Sequence, residues 1–521
     1  SAGYRAWKFA QRHKAAVGAL VAVIVSLIAA LAVTTKQASV ARRERDRAAA
    51  VADFMAKTLE GVGPSVAVGR DAAMLKEMMD AAAARIEKGE LKDNPGAELT
   101  LRSTIGGIYR EVADFKSAHR MLDAVATLAE TPEVRGSAEA AGGLSAVGLL
   151  AKDESRFEEA EAHLRSALAI QRALGAGAER DAALTQRSLA NALGDRGRPA
   201  EGEPLLRDTV AVLRRLDPAG TDELAVSLND LAQTLTDLDR PEEVETLYRE
   251  SLSLQRSMHP GDYPEIATTL NNLAAHLRDR GRIKDAIAMM SEALAMNRRL
   301  LQGDHPFVAG GLNNLASLLE SDGRRSEAEP LYRESLAMRR RLFKGDHAMV
   351  AGGLNNLALV LQRQGKLAEA EPLFRESLAM RQRLFKGDHP SIALDMNNLA
   401  LLLRDKGQLD ASQALAKDAI AMQVRTQGKD AWLTGYARHG RGRTLTLMKR
   451  FREAEEELVE AERVLAMPKT PAGRHAKVCE TLADLYDAWN KADPRGGHAT
   501  RAKEWRAKFE AETAKTAKAK S

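Results

Sequence analysis

Asn271-Asn272-Leu273-Ala274 returns as Asn313-Asn314-Leu315-Ala316, Asn355-Asn356-Leu357-Ala358 and Asn397-Asn398-Leu399-Ala400, each start 42 residues after the last. A fixed period of this length means one supersecondary unit copied along the chain. A lone unit cannot bury its own apolar face, so the copies stack. Stepping by 42 from Leu273 reaches Leu315, Leu357 and Leu399 forward, and Leu231, Leu189, Val147 and Ile105 backward. Thirteen residues beyond each lies a small or short side chain, from Ala118 through Ala286 and Ala370 to Ser412. The register predicts about nine units followed by a degenerate tenth.

Each unit reads as two antiparallel helices. In the unit at Asn271, Leu270, Leu273, Ala274 and Leu277 share one helical stripe, and Ala286, Met290, Ala293 and Leu294 share another. Gly281, Gly323, Gly365 and Gly407 end the first helix by supplying a left-handed residue. Small residues let two backbones approach, and Leu277 and Met290 fill the space beside them. The linkers Gly303-Asp-His-Pro, Gly345-Asp-His-Ala and Gly387-Asp-His-Pro close one unit and open the next. There Asp or His is expected near the N-cap, with Pro in the first helical turn. The expected fold is an all-α helix-turn-helix solenoid.

The alternation of small and large apolar positions resembles the tetratricopeptide repeat. With Leu-Asn-Asn-Leu-Ala, Glu-Ala-Glu-Pro-Leu (Glu327 to Leu331, Glu369 to Leu373) and Gly-Asp-His-Pro, the 42-residue form is similar to the kinesin-light-chain type. The resemblance covers about three quarters of the chain.

Composition narrows the function. A net charge of +5 spread over 149 charged residues, with 4% aromatics and no basic stripe interleaved with aromatics, argues against a nucleic-acid partner. The single cysteine, Cys479, excludes internal disulfides and four-cysteine metal clusters, and reads as a small core residue. His305, His347 and His389 recur at turns on successive units. Equivalent points there are separated by about 8–10 Å, too far to share one ion, so they read as caps. Glu327/Glu329 and Glu369/Glu371 stand two apart on a helix and diverge into solvent. No catalytic residue, metal site or cofactor is expected.

Residues 15–35 carry no charge and are rich in Ala, Val, Ile and Leu. At about 1.5 Å per residue they match a bilayer core of roughly 30 Å. A cleaved signal peptide ending at Ala30-Leu-Ala32 is the alternative, but the apolar run is too long for one. The expected organisation is a basic cytoplasmic stub (1–14), a transmembrane helix (15–35), a juxtamembrane helix (36–62), a helical lead-in (63–97), the repeat solenoid (98–508) and a disordered Lys-rich tail (509–521). Lys8, Arg12 and Lys14 mildly favour the N-terminus inside, with Arg42, Arg43, Arg45 and Arg47 blunting the bias. Gly18, Ala22, Ser26 and Ala30 form a small-residue ridge through which two spans could pair as a homodimer.

The run Tyr4-Arg-x-x-Lys-Phe-x-x-Arg-His, the span, Val51-Ala-Asp-Phe-Met and Leu75-Lys-Glu-Met-Met-Asp-Ala-Ala-Ala-Ala-Arg-Ile resembles the region behind the catalytic domain of bacterial serine/threonine protein kinases that carry C-terminal repeats. That resemblance implies a bacterial inner-membrane protein with its repeats outside the cytoplasm. The sequence itself holds no glycine-rich loop with a following Val-Ala-x-Lys, no His-Arg-Asp loop and no Asp-Phe-Gly. His276-Leu-Arg-Asp279 is an echo inside a repeat helix. The chain therefore reads as the non-catalytic part of such a kinase or as a kinase-less relative.

The first-helix face opposite the leucines holds the binding candidates. Asn271, Asn272, Asn313, Asn314, Asn355, Asn356, Asn397 and Asn398, with Asn229 one unit earlier, would line the concave side. Arg278, Gln362 and Arg404 would flank them beside Asp279 and Asp405. An amide both donates and accepts, which suits an extended peptide backbone. The competing reading is that one Asn of each pair bonds the neighbouring helix and stabilises the superhelix. The Lys-plus-Asn carboxylate clamp of some family members has no counterpart, so an internal peptide segment is the expected ligand. The expected function is a membrane-anchored protein-binding scaffold in bacterial signalling. A structural envelope scaffold assembled by span pairing is the third reading.

Overall fold

The turn inside each repeat makes the 42-residue register visible in the backbone. In this computed structural model, which describes residues 71–468, 470–471 and 473–518, Gly197, Gly281, Gly323, Gly365 and Gly407 take φ between 76° and 82°. Ala113, Ser155, Asp239 and Lys449 fall on the same step of the period and are also left-handed, with φ of 56–61°. A side chain in that region costs about 1–2 kcal/mol. The hairpin therefore imposes the conformation whatever residue the sequence offers. At Gly281 the reason is plain: Arg282 N–H reaches back to Leu277 C=O (2.9 Å) and Gly281 N–H to Arg278 C=O (2.9 Å), satisfying carbonyls the helix leaves open.

The described chain is all α-helical apart from one 3-10 turn and divides into two compact units, to Arg240 and from Pro241. The first contains α1 (Asp71–Glu87), α2 (Pro95–Glu111), the short α3 (Phe115–Leu122) and α4 (Val125–Leu128), α5 (Ala138–Asp153), α6 (Phe157–Leu174), α7 (Glu179–Asp195), α8 (Pro199–Leu216) and α9 (Asp222–Asp237). The second contains α10 (Val244–Met258), α11 (Pro264–Asp279), α12 (Ile283–Leu300), α13 (Pro306–Ser321), α14 (Arg325–Leu342), α15 (Ala348–Arg363), α16 (Leu367–Leu384), α17 (Pro390–Asp405), α18 (Leu409–Gln427), α19 (Trp432–Leu447), α20 (Phe451–Leu465), α21 (Arg474–Ala492) and α22 (His498–Lys518). Within each unit a helix packs on the one before and the one after it, which is a tetratricopeptide-type solenoid arrangement.

The periodic residues explain the packing. Leu273, Leu357, Ala286, Ala328 and Ala370 are all at most 2% exposed. Gly202 shows how close the backbones come in the first unit, because a Cβ there would sit 2.9 Å from the Ala190 carbonyl oxygen. Ser335 and Ser377 on second helices donate to the carbonyls of Ala309 (2.7 Å) and Ala351 (2.9 Å) on their first helices. The core of the second unit gathers Leu319, Leu336, Leu354, Leu357, Phe374 and Leu402 from successive hairpins.

The linkers divide labour between their two polar residues. His305, His347 and His389 are the N-caps, each Nδ1 accepting the N–H two residues on at 3.1–3.2 Å. His347 and His389 also stack on Phe343 and Phe385, with ring centroids 3.9 and 3.7 Å apart. Asp304, Asp346 and Asp388 do not cap. They receive forked bonds from Arg341, Arg383 and Arg425 in the last turn of the next repeat's second helix. The aspartates thus couple repeats, where the sequence had placed either residue near the cap.

One further boundary differs from expectation. Helix α22 continues to Lys518, through residues expected to be disordered from 509. The Ala, Glu and Lys of this stretch are strong helix formers, and Glu512 lies 3.2 Å from His475 Nδ1 on α21. The stub, the span with Gly18, Ala22, Ser26 and Ala30, and the juxtamembrane helix lie outside the described residues. Among the described residues no helix is long and apolar enough to cross a membrane.

Candidate functional site

The paired asparagines bond one another across repeats. Asn314 Nδ2 donates to Asn271 Oδ1 (3.2 Å), Asn356 to Asn313 (2.9 Å) and Asn398 to Asn355 (2.9 Å). The second Asn of each pair thus reaches the first Asn of the preceding repeat, 43 residues back. Within a pair, Asn271 Nδ2 also points to Asn272 Oδ1 at 3.3 Å. The first unit builds the same link from charge: Asp230 accepts from Asn191 Nδ2 (2.9 Å) and faces Arg187 at 3.7 Å, 43 residues back. Burial pushes the Asp230 carboxyl up, and the bond from Asn191 pulls it back. Its neighbour Asn229 belongs to this cluster and bonds Asp230.

Two turns along the same helices runs a second line of links. Arg363 pairs with Glu320, and Gln362 Nε2 donates to Asp405 Oδ2 (2.7 Å), each across 43 residues. Arg278 and Arg404 turn instead to their own neighbours, Asp279 (2.9 Å) and Asp405 (2.7 Å).

Burial sorts the candidates. Asn314 and Arg278 are exposed, and Asn271, Asn272, Asn313, Asn356 and Gln362 are half-buried. Asn355, Asn397, Asn398 and Arg404 are buried, at 6, 1, 5 and 9% exposure, so they do not face a groove. For Asn355 and Asn398 the reason is their rung. Asn397 has no rung: the residue that should donate to it, 43 further on, is Gly440. Both amide atoms of Asn397 are buried without a partner. The step after Asn397 in its own register is His439. It bonds Thr481 Oγ1 at 2.8 Å, and burial, helped by Arg443 and Arg404, pushes its pKa down to about 3.

Where the ladder stays open, a pocket of ≈ 410 Å³ forms on α11, α13 and α15. Its floor is apolar, made by Ala274, Leu318 and Leu359 with Met290 and Tyr332 from the second helices. Its rim carries Asn271, Asn313, Asn314 and Asn356, with Arg278, Glu320 and Arg363 at the far edge. Burial and the nearby Glu320 carboxylate push the Tyr332 hydroxyl up to about 12. Sequence reasoning missed Glu320 and Arg363, although 42 residues forward from Arg278 lands on Glu320, and 42 back from Asp405 lands on Arg363. The described residues make an all-helical module with no catalytic constellation; the recurring turn histidines are caps.

The tetratricopeptide-repeat family profile matches residues 181–257, 265–341 and 349–423. These stretches are tetratricopeptide repeats. A search of curated proteins gave no match. Among solved structures it is similar to a Podosopora anserina putative kinesin light chain with nearly identical repeats, at 20% identity over 39% of this chain and 96% of that one, with a TM-score of 0.36. It is similar to BtubC from P. vanneervenii at 23% identity over 44% and 91%, with a TM-score of 0.39. The apo quorum sensor NprR from B. thuringiensis superposes over 73% of this chain and 99% of its own, at 12% identity and a TM-score of 0.50, which shows a shared tetratricopeptide solenoid fold.

Proposed function

We propose that this tetratricopeptide module binds an extended segment of another protein in the pocket on α11, α13 and α15. The observation that carries the reading is the convergence there of amides from three successive repeats over an apolar floor. Each ladder bond uses one N–H of one amide and one lone pair of the next, and a carboxamide has two of each. The remaining valences suit the alternating donors and acceptors of a peptide backbone. Arg278 and Arg363 at the edge would take an acidic side chain, with Glu320 balancing part of their charge.

The test is a double variant, Arg278→Ala with Arg363→Ala, assayed on a peptide chosen from a random array by the unaltered chain. Both arginines are exposed, so helix content should hold, with melting lowered only by the loss of the Arg363–Glu320 link, while affinity falls at least about tenfold. Unchanged affinity would place the binding surface elsewhere.

We also propose that residues 15–35 tether the module to the bacterial inner membrane with its repeats outside. The ridge of Gly18, Ala22, Ser26 and Ala30 would then pair two copies. The kinase resemblance of residues 1–125 supports a second reading, in which this chain is the sensing part of a transmembrane serine/threonine kinase. Alkaline extraction of membranes distinguishes a spanning chain, which stays in the pellet, from a peripheral one.

A further inference from the structure

Away from the pocket, the ends of α20, α21 and α22 bring together Glu462, His475 and Cys479, whose oxygen, nitrogen and sulfur all lie within 4.8 Å of one another. His475 and Cys479 are one helical turn apart on α21, so both side chains face α20, and Glu462 meets them from its last turn. His475 Nε2 sits 2.7 Å from Glu462 Oε1. Its other nitrogen, Nδ1, lies 3.2 Å from Glu512 Oε2 on α22. Cys479 is fully buried, and Glu462 and His475 have side chains only 14% and 19% exposed.

We propose that Glu462, His475 and Cys479 form a zinc site that clips the terminal hairpins together. The donor set of thiolate, imidazole and carboxylate is that of Zn²⁺, and it disfavours Mg²⁺ and Ca²⁺, which take oxygen alone. Tetrahedral zinc bonds of about 2.0–2.3 Å place ligand atoms about 3.3–3.8 Å apart, so the cluster needs to adjust by only about an ångström. Glu512 on the far nitrogen of His475 is the outer carboxylate that fixes a metal-bound imidazole's tautomer and direction. A fourth position is left for water. Lys508 Nζ stands 2.7 Å from Glu462 Oε1 and 4.7 Å over the Trp505 ring. Its ammonium is the competing cation, and its side chain is 43% exposed and able to swing away. Burial, then the Glu462 charge, hold the Cys479 thiol up to about 11. Zinc binding therefore releases a proton as the thiolate forms.

The test uses the full chain, stripped with chelator and titrated with Co²⁺ and then Zn²⁺. One Co²⁺ per chain should bring sulfur-to-cobalt charge-transfer absorption, Zn²⁺ should displace it, and Zn²⁺ should raise the melting temperature. Cys479→Ser should abolish the charge-transfer band, and His475→Gln should weaken zinc at least about tenfold. Glu512→Gln should weaken it about 10–100-fold, whereas Lys508→Met should tighten it. His475 is partly exposed, so its variant keeps the test open should Cys479→Ser fail to fold. Absence of the band in the unaltered chain, or zinc stabilisation that persists in both ligand variants, overturns the proposal.

Discussion

Lys449 and Asp395 show how a period can force a residue into a setting it would not choose. Lys449 holds the left-handed turn that glycine holds at Gly407, and nothing about a lysine favours φ of 61°. Lys449→Gly should therefore stabilise the second unit by about 1 kcal/mol, seen as a higher urea midpoint with an unchanged slope. Asp395 is fully buried on α17, at the step where Gly353 and Gly311 stand in earlier repeats. Burial raises its pKa to about 6, although Arg381 at 3.2 Å and the Ser377 hydroxyl both pull it down. A carboxyl raised in the folded state contributes stability that is complete below its ordinary pKa and is lost as pH rises through about 6. Wild type should thus lose stability between about pH 4 and 6.5 relative to Asp395→Asn, by about 3 kcal/mol at most. Urea midpoints of the two proteins across that range check it; parallel curves would assign Asp395 no proton.

At the scale of elements, the amide ladder separates neighbours that look identical in sequence. Asn355→Ala removes the acceptor of Asn398 and leaves a buried amide unpaired, which should cost about 1–3 kcal/mol. Asn397→Ala removes an amide that has no bond to lose, and should be neutral or stabilising. Thermal unfolding of the two variants side by side gives the comparison, and equal destabilisation would refute the end-of-ladder account. The same pair shows what was legible beforehand. Periodicity located the helices, the turn glycines and the asparagine face, because each follows from the 42-residue step alone. Which asparagine was open to solvent was not legible, since it depends on the offset of 43 that a superhelical stack introduces between neighbours. Nor could the linker's division between a capping His305 and a coupling Asp304 be read locally, because Arg341 lies 37 residues away. The Glu462–His475–Cys479 cluster escaped notice for a similar reason: the last hairpins have lost the repeat, and only folding joins Glu462 to residues beyond the turn.

For the second unit as a whole, the ladder and linker bonds between repeats have the same partner one period away, so the stack should tolerate loss of a complete period and nothing else. Excising residues 314–355 joins Asn313 to Asn356 within one helix and keeps the register. Asn356 can then donate to Asn271, Asn398 to Asn313, and Arg383 can fork onto Asp304 in place of Asp346. Nearest-neighbour stacking predicts that this shortened chain folds with the same helicity per residue and a modestly lower melting temperature. Excising two residues fewer puts the leucines of the joined helix on the wrong face, and should leave the protein unable to melt cooperatively. The pocket, by contrast, needs α11, α13 and α15 in succession, and the shortened chain lacks Ser317, Leu318, Glu320 and Tyr332 from its lining. Folding should therefore survive while capture of the array-selected peptide is lost. If the 42-residue deletion bound that peptide as well as the parent does, the pocket could not be where it binds.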